Sequence, residues 1–210
     1  MAFWEYRQVI VENMEKAVFL DRDGTINVER NYLYRQEDFA FLPGVLEGLR
    51  LLQKDGFRLI IVTNQSGIGR GYYSEADFLK LTDWMVEVLA SQDITISRVY
   101  YCPHLPDAEN IRYRKACNCR KPALGMFRQA VTDFNINLHA SYAVGDRMRD
   151  CSICLETDCK GYLIGQSEEQ DIVERVKAGE YKRIAYKENL YECALDICMN
   201  TLQIPGGERK

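Results

Sequence analysis

One short stretch constrains this chain more than any other. Ala17, Val18, Phe19 and Leu20 are apolar without a break, and Asp21 and Asp23 follow at once on either side of Arg22. Such a run reads as a strand buried on both faces in a parallel sheet. Two acids at its end make little sense as packing, because uncompensated buried charge is costly. They do make sense at the carboxyl end of a sheet strand, where open α/β folds keep their sites. Gly24 lets the backbone turn beneath them. Asp21 can then face a substrate while Asp23 sits to one side, and both can help hold a divalent cation. Taken alone, the stretch reads equally well as an Asp-rich turn without chemistry.

Three later segments add to it. Leu59 to Val62 is a second apolar strand ending in Thr63 and Asn64, a hydroxyl and an amide suited to phosphate oxygens. Arg120 and Lys121 place two cations before Pro122, a residue that suits the first turn of a helix. Ser141 to Val144 is a further strand, which ends in Gly145 and Asp146, with Asp150 four residues on. Acid, hydroxyl, lysine and second acid, in that order and at element ends, resemble the haloacid dehalogenase superfamily. The segments Asp21 to Asn27, Thr63 to Gly71, Tyr101 to His104, Cys117 to Pro122 and Gly145 to Asp146 narrow the likeness. Over residues 16 to 165 they resemble the branch that holds the histidinol phosphatases and the D-glycero-D-manno-heptose 1,7-bisphosphate 7-phosphatases.

That resemblance implies a phosphoric monoester hydrolase. A phosphate monoester dianion repels nucleophiles, so a carboxylate attacks it only where cations offset the repulsion. Asp21 would be the nucleophile, forming an aspartyl-phosphate. Asp23 would protonate the leaving alcohol and then deprotonate the water that hydrolyses the intermediate. Mg²⁺ would be held by Asp21, the backbone carbonyl of Asp23, and Asp146. Thr63, Arg120 and Lys121 would carry the phosphoryl oxygens. The family further implies substrate contacts at Asp21, Arg22, Asp23, Glu29, Arg30, Asn31, Tyr32, Thr63, Asn64, Gln65, Ser66, Arg120, Lys121 and Arg147. At Arg147 the family usually has lysine; the charge survives but the fork geometry differs. The implied substrate is a small sugar bisphosphate cleaved at the 7-position. Histidinol phosphate, a nucleic-acid 3′-phosphate, and a catalytically silent zinc-stabilised binding module are the alternatives.

Cysteine usage gives a separate signal. Eight cysteines are many for a reducing compartment, where metal binding is favoured over disulfides. Cys102, His104, Cys117 and Cys119 offer four soft or borderline ligands in a segment otherwise poor in apolar residues. A structureless loop of that length is unusual in a compact domain, and a structural tetrahedral Zn²⁺ removes the difficulty. Cys151, Cys154, Cys193 and Cys198 read as small core residues instead.

The remaining chain fits one domain. Its 210 residues suffice for a sizeable core, and the net charge of −4 argues against a nucleic-acid partner. No apolar run reaches transmembrane length and no signal peptide opens the chain, which makes a cytoplasmic protein with no membrane partner the expectation. Residues 1–15 match nothing in the resemblance and form a leader, with Val9 to Val11 as a conceivable edge strand; 16–205 would be a single phosphatase domain, expected as a monomer. Helical stripes at Val45, Leu49 and Leu52, at Phe78, Leu81 and Met85, at Leu124, Phe127 and Val131, at Ile172 to Val176, and at Leu190 to Cys198 alternate with the strands. Further strands are expected at Val99 to Tyr101 and Tyr162 to Ile164. The fold class expected is a doubly wound, Rossmann-like parallel sheet with helices on both faces, a zinc-stapled loop and no large lid domain.

Overall fold

A computed structural model describes residues 14–165 and 169–202. The leader through residue 13 and residues 203–205 of the expected domain lie outside them. Six strands form one parallel sheet: β1 (Ala17–Leu20), β2 (Arg58–Asn64), β3 (Ile96–Cys102), β4 (Tyr142–Gly145), β5 (Lys160–Ile164) and β6 (Ile184–Lys187). They lie in the order β3-β2-β1-β4-β5-β6. The helices are α1 (Val45–Lys54), α2 (Ser66–Gly69), α3 (Glu75–Ala90), α4 (Gly125–Phe134), α5 (Ser152–Glu156), α6 (Gln170–Lys177) and α7 (Leu190–Leu202).

Alternation along the central strands builds a core on each face of the sheet. Ala17 and Phe19 of β1 pack with Ile60, Val62, Ala143 and Leu163 against α4, α5 and α6. Val18 and Leu20 pack with Leu59, Ile61, Val144 and Ile164 against α1, α3 and α7. All four β1 side chains are within 1% of complete burial. At ~1.5–3 kcal/mol for a fully buried Val, Leu or Phe, this strand could not end on two acids without a return. Phe19 meets Phe127 of α4 edge to face, 5.4 Å between centroids, which ties β1 to the helix that follows the Cys/His loop.

Strand order reverses between β1 and β4, and in such sheets ligands bind in the crevice beyond the carboxyl ends at that point. Asp21 and Asp146 follow β1 and β4 there, and Thr63 lies near the carboxyl end of the neighbouring β2. The expectations for the elements hold with two corrections. Pro122 does not open a helix: Lys121 and Pro122 share a cis peptide, and α4 starts at Gly125. Its start is fixed by close approach, since Gly125 N donates to Asn118 O at 2.7 Å and a Cβ at Gly125 would stand 2.3 Å from that oxygen. β6 was not expected at all. It is an edge strand of four residues with only Ile184 buried, too short and too mixed to show a period. The capping box at Ser74 and Asp77 is present, with Asp77 N donating to Ser74 Oγ at 3.1 Å.

Candidate active site

Asp21 sits at the end of β1, its backbone N–H donating to Val144 O of β4 at 3.0 Å. Its side chain is 7% exposed, and Oδ1 accepts from Lys121 Nζ at 2.8 Å. The same ammonium lies 2.7 Å from Asp150 Oδ1 and donates to Val62 O at the end of β2. Lys121 is therefore a buried cation shared by two acids. Burial works against its charge, but Asp150 and Asp21 outweigh that and raise its pKa. Its backbone is clamped by Asn64, whose Oδ1 accepts from Lys121 N and whose Nδ2 donates to Lys121 O, both at 3.0 Å. The Asn64 amide thus helps hold the lysine while the residue also lines the cleft.

Asp23 is held by different partners. Arg22, only 1% exposed, gives it Nε and Nη2 at 2.8–3.1 Å, Asn27 Nδ2 donates at 3.0 Å, and Gln65 Nε2 at 2.9 Å. Burial would raise the Asp23 carboxyl, but Arg22 and these donors hold it below the usual carboxylate range. Asp21 goes the other way. Burial, reinforced by Asp150 and Asp23 and only partly offset by Lys121, pushes it up to about 6. Two carboxyls two residues apart are thus driven in opposite directions, and the direction is the reverse of what an attacking Asp21 and a proton-donating Asp23 need; a divalent cation on Asp21 would draw its carboxyl back down.

Asp146 completes an acidic cluster. Ligand oxygens of Asp21, Asp146 and Asp150 lie within 4.8 Å of one another, close enough for one octahedral Mg²⁺. Burial, then Asp21 and Asp150, raise the Asp146 carboxyl to about 7. Lys121 lies between Asp21 and Asp150, and Arg147 and Arg149 approach Asp146 and Asp150 at 3.6 and 3.9 Å, yet the Asp21 and Asp146 carboxyls stay raised; a divalent cation would relieve that crowding. Gly24 makes the approach possible: at φ +80° it carries the turn, and a Cβ there would stand 2.6 Å from Asp146 Oδ2. The residues present fit the ion. Asp23's carboxylate lies outside this side-chain cluster, and Asp150 joins it.

The second donor set lies under the arginine and lysine. Cys102, Cys117 and Cys119 have sulfurs 3.0–3.5 Å apart, and His104 Nδ1 is 3.2 Å from Cys119 Sγ and 3.7 Å from Cys102 Sγ. Zn–S bonds of ~2.3 Å place tetrahedral ligands roughly 3.7 Å apart, so the cluster matches the chemistry and nearly the size of a zinc site. All eight cysteines are free thiols.

The phosphatase model named polynucleotide kinase 3 phosphatase matches residues 16–161. The chain belongs to that family. A D-glycero-beta-D-manno-heptose-1,7-bisphosphate 7-phosphatase from Photorhabdus laumondii is 48% identical over 134 residues, 64% of this chain and 71% of that protein. The protein of the same name from Escherichia coli K12 is 48% identical over 134 residues, 64% of this chain and 70% of its own. Among solved structures, D,D-heptose 1,7-bisphosphate phosphatase from B. bronchiseptica, complexed with magnesium and phosphate, superposes with a TM-score of 0.75. It is 27% identical and covers 88% of this chain and 99% of that one. The resemblance to heptose bisphosphate phosphatases of the haloacid dehalogenase superfamily is therefore met, as is the fold.

Within this family frame the expected residues separate into three groups. A cleft of about 170 Å³ is lined by Asp21, Asp23, Glu29, Asn31, Tyr32, Asn64, Gln65, Ser66, Gly67, Tyr73, Asp146, Arg147 and Arg149. Lys121 and Thr63 lie buried beneath it. Two side chains, Arg22 and Arg30, lie outside the lining of the cleft where substrate contacts were expected. Arg22 is turned away under the loop, where Leu33 O and Gln65 also accept from it; Arg30 is exposed outside the cleft lining. Gln65 is 2% exposed and engaged with Asp23, Thr63 and Tyr73. Arg120 is half-buried beside the cysteine cluster, reaching His104 O at 3.4 Å. Sequence reasoning noted Asp150 without a role, and missed Tyr73 and Arg149. The spacing Gly145 to Asp150 carried a signal for the first: a Cβ at Gly145 would strike Asp150 Cβ at 2.2 Å. Tyr73 had none, being one tyrosine of thirteen.

Proposed function

We propose that this chain is a Mg²⁺-dependent phosphatase that hydrolyses the 7-phosphate of D-glycero-D-manno-heptose 1,7-bisphosphate through an aspartyl-phosphate on Asp21. The observation that carries the chemistry is the buried Lys121 ammonium, 2.8 Å from Asp21 and 2.7 Å from Asp150 at the carboxyl edge of β1. It offsets charge repulsion on the face from which a dianion must be attacked. The substrate class is supported by relatives of that name at 48% identity. Asp21, Asp146, Asp150 and the Asp23 carbonyl would hold Mg²⁺, which supplies charge stabilisation for the phosphoryl oxygens. Asp21 attacks phosphorus while Thr63 and Lys121 bind the equatorial oxygens. Asp23 gives a proton to the leaving oxygen, then takes one from the water that releases phosphate. Cys102, His104, Cys117 and Cys119 hold a structural Zn²⁺ that sets Arg120 and Lys121 in place. Residues 16–205 work as one unit, a cytoplasmic monomer with a small sugar phosphate as its partner. No helix among the described residues is long and apolar enough to cross a membrane.

The test is phosphate release, with and without Mg²⁺, from the heptose bisphosphate, histidinol phosphate and a 3′-phosphorylated oligonucleotide. Release first from the 7-position of the heptose bisphosphate is expected. Preferential turnover of the oligonucleotide would replace the sugar with a nucleic-acid end.

A further inference from the structure

The Gln65 amide sits between two groups that the phosphatase reading above puts to work, and its direction is fixed by Tyr73 and Arg22. The Tyr73 hydroxyl donates to Gln65 Oε1 at 2.6 Å. Arg22 Nη2, also a donor, approaches the same oxygen at 3.5 Å. With donors on Oε1, the amide must present its two Nε2 hydrogens on the other side. One reaches Asp23 Oδ2 at 2.9 Å and the other Thr63 Oγ1 at 3.0 Å. A hydroxyl that accepts from Gln65 keeps its own hydrogen to donate, and an anionic phosphoryl oxygen is the acceptor it would meet. Asp23, with Arg22 on both oxygens and Asn27 on Oδ1, has its Oδ2 turned further toward Thr63 by Gln65.

Tyr73 is itself built into place. Its ring is 7% exposed and stacks on Tyr34 with centroids 5.4 Å apart and planes at 16°. Gly67 opens the space it fills, since a Cβ there would stand 2.2 Å from Tyr73 Cε1. The next residue, Ser74, caps α3 and fixes the chain beside the ring.

We propose that Tyr73, acting through Gln65, is a positioning residue that sets the polarity of the site. It makes Thr63 a donor to the transferred phosphoryl group and keeps Asp23 aimed at the leaving oxygen. In that step the Asp21 Oδ–phosphorus bond forms as the bond from phosphorus to the leaving oxygen breaks. The Asp23 proton passes to that oxygen. Without the hydroxyl, the amide can turn end for end. Its oxygen then faces the Asp23 carboxylate and takes the Thr63 proton for itself.

The consequence depends on the leaving group, which a packing role does not reproduce. A phenolate departs without protonation; an alkoxide does not. The kcat/KM of wild type, Tyr73→Phe and Gln65→Leu should therefore be measured with Mg²⁺ on p-nitrophenyl phosphate and on a simple alkyl phosphate. This parameter ends at departure of the leaving group, so later hydrolysis of the intermediate does not enter. Tyr73→Phe keeps the ring and its stack, and should lose at least about tenfold more on the alkyl than on the aryl ester. Gln65→Leu should show at least as large a split. Equal losses on both esters, or none, would leave Tyr73 a packing residue and overturn the proposal. Wild type inert toward both esters and toward the heptose bisphosphate as well would instead remove the phosphatase reading on which it rests.

Discussion

Replacing Asp21 by asparagine takes away the attacking charge and keeps the shape, so turnover should fall by about 10⁴-fold or more with the fold intact. The Lys121 ammonium retains Asp150 at 2.7 Å, so no buried charge is left unpaired. Residual activity within tenfold of wild type would remove Asp21 from its role. Gly24→Ala probes the acid beside it. The new Cβ would meet Asp146 Oδ2 at 2.6 Å from a backbone at φ +80°. Displacing that carboxylate should raise the Mg²⁺ needed for half-maximal rate by at least about tenfold, an outer-contact effect on a metal site. An unchanged Mg²⁺ requirement would separate Asp146 from the metal. At this scale the sequence told the chemistry of a residue better than its direction. Asn64 has the right atoms for a phosphate and lines the cleft, yet its amide also clamps the Lys121 backbone, and Arg22, which has the right charge, turns inward to Asp23. Only the tertiary register, β2 against the turn after the Cys/His loop, decides that.

The elements were legible where burial imposes a period. β1 and β2 read as unbroken apolar runs because both faces are covered, and α1 and α3 as stripes because one face is. β6 has one buried residue and no such signature. Pro122 obeys the position of the Cys/His loop rather than a helix preference. That loop is the element with least core of its own: between Pro103 and Arg120 the buried apolar side chains are Leu105, Ala108 and Tyr113. Tyr113 reaches out to Glu75 Oε2 at 2.9 Å, tying the loop to α3. If zinc supplies the rest, one ion per chain should survive dialysis, since structural sites of this type contribute on the order of 10 kcal/mol or more. Cys117→Ser should release the ion, lower the thermal midpoint and depress activity through Arg120 and Lys121. Elemental analysis showing no zinc in fully active protein would contradict the site.

For the molecule as a whole, net charge misleads and its distribution informs. The chain carries −4 overall, yet arginines gather near the cleft. Burial presses the Arg120 guanidinium below its ordinary value; Cys102 pulls the other way, and Arg149 presses with burial, followed by a lesser pull from Cys117 and a lesser push from Arg70. Among the described residues no carboxylate pairs with Arg120. Arg149, 42% exposed, lines the cleft 3.9 Å from Asp150. A second phosphate, left uncleaved on a bisphosphate, would relieve that repulsion and accept the fork of Arg120. Histidinol phosphate brings cationic groups to the same arginines and is disfavoured by them. The heptose 1,7-bisphosphate should therefore exceed histidinol phosphate in kcat/KM by at least ~10²-fold, roughly 2.7 kcal/mol and within reach of one or two charged contacts. Arg120→Ala should remove most of that ratio without changing the zinc content. Comparable efficiencies on the two substrates in wild type, or a ratio untouched by Arg120→Ala, would take the distal phosphate away from this arginine.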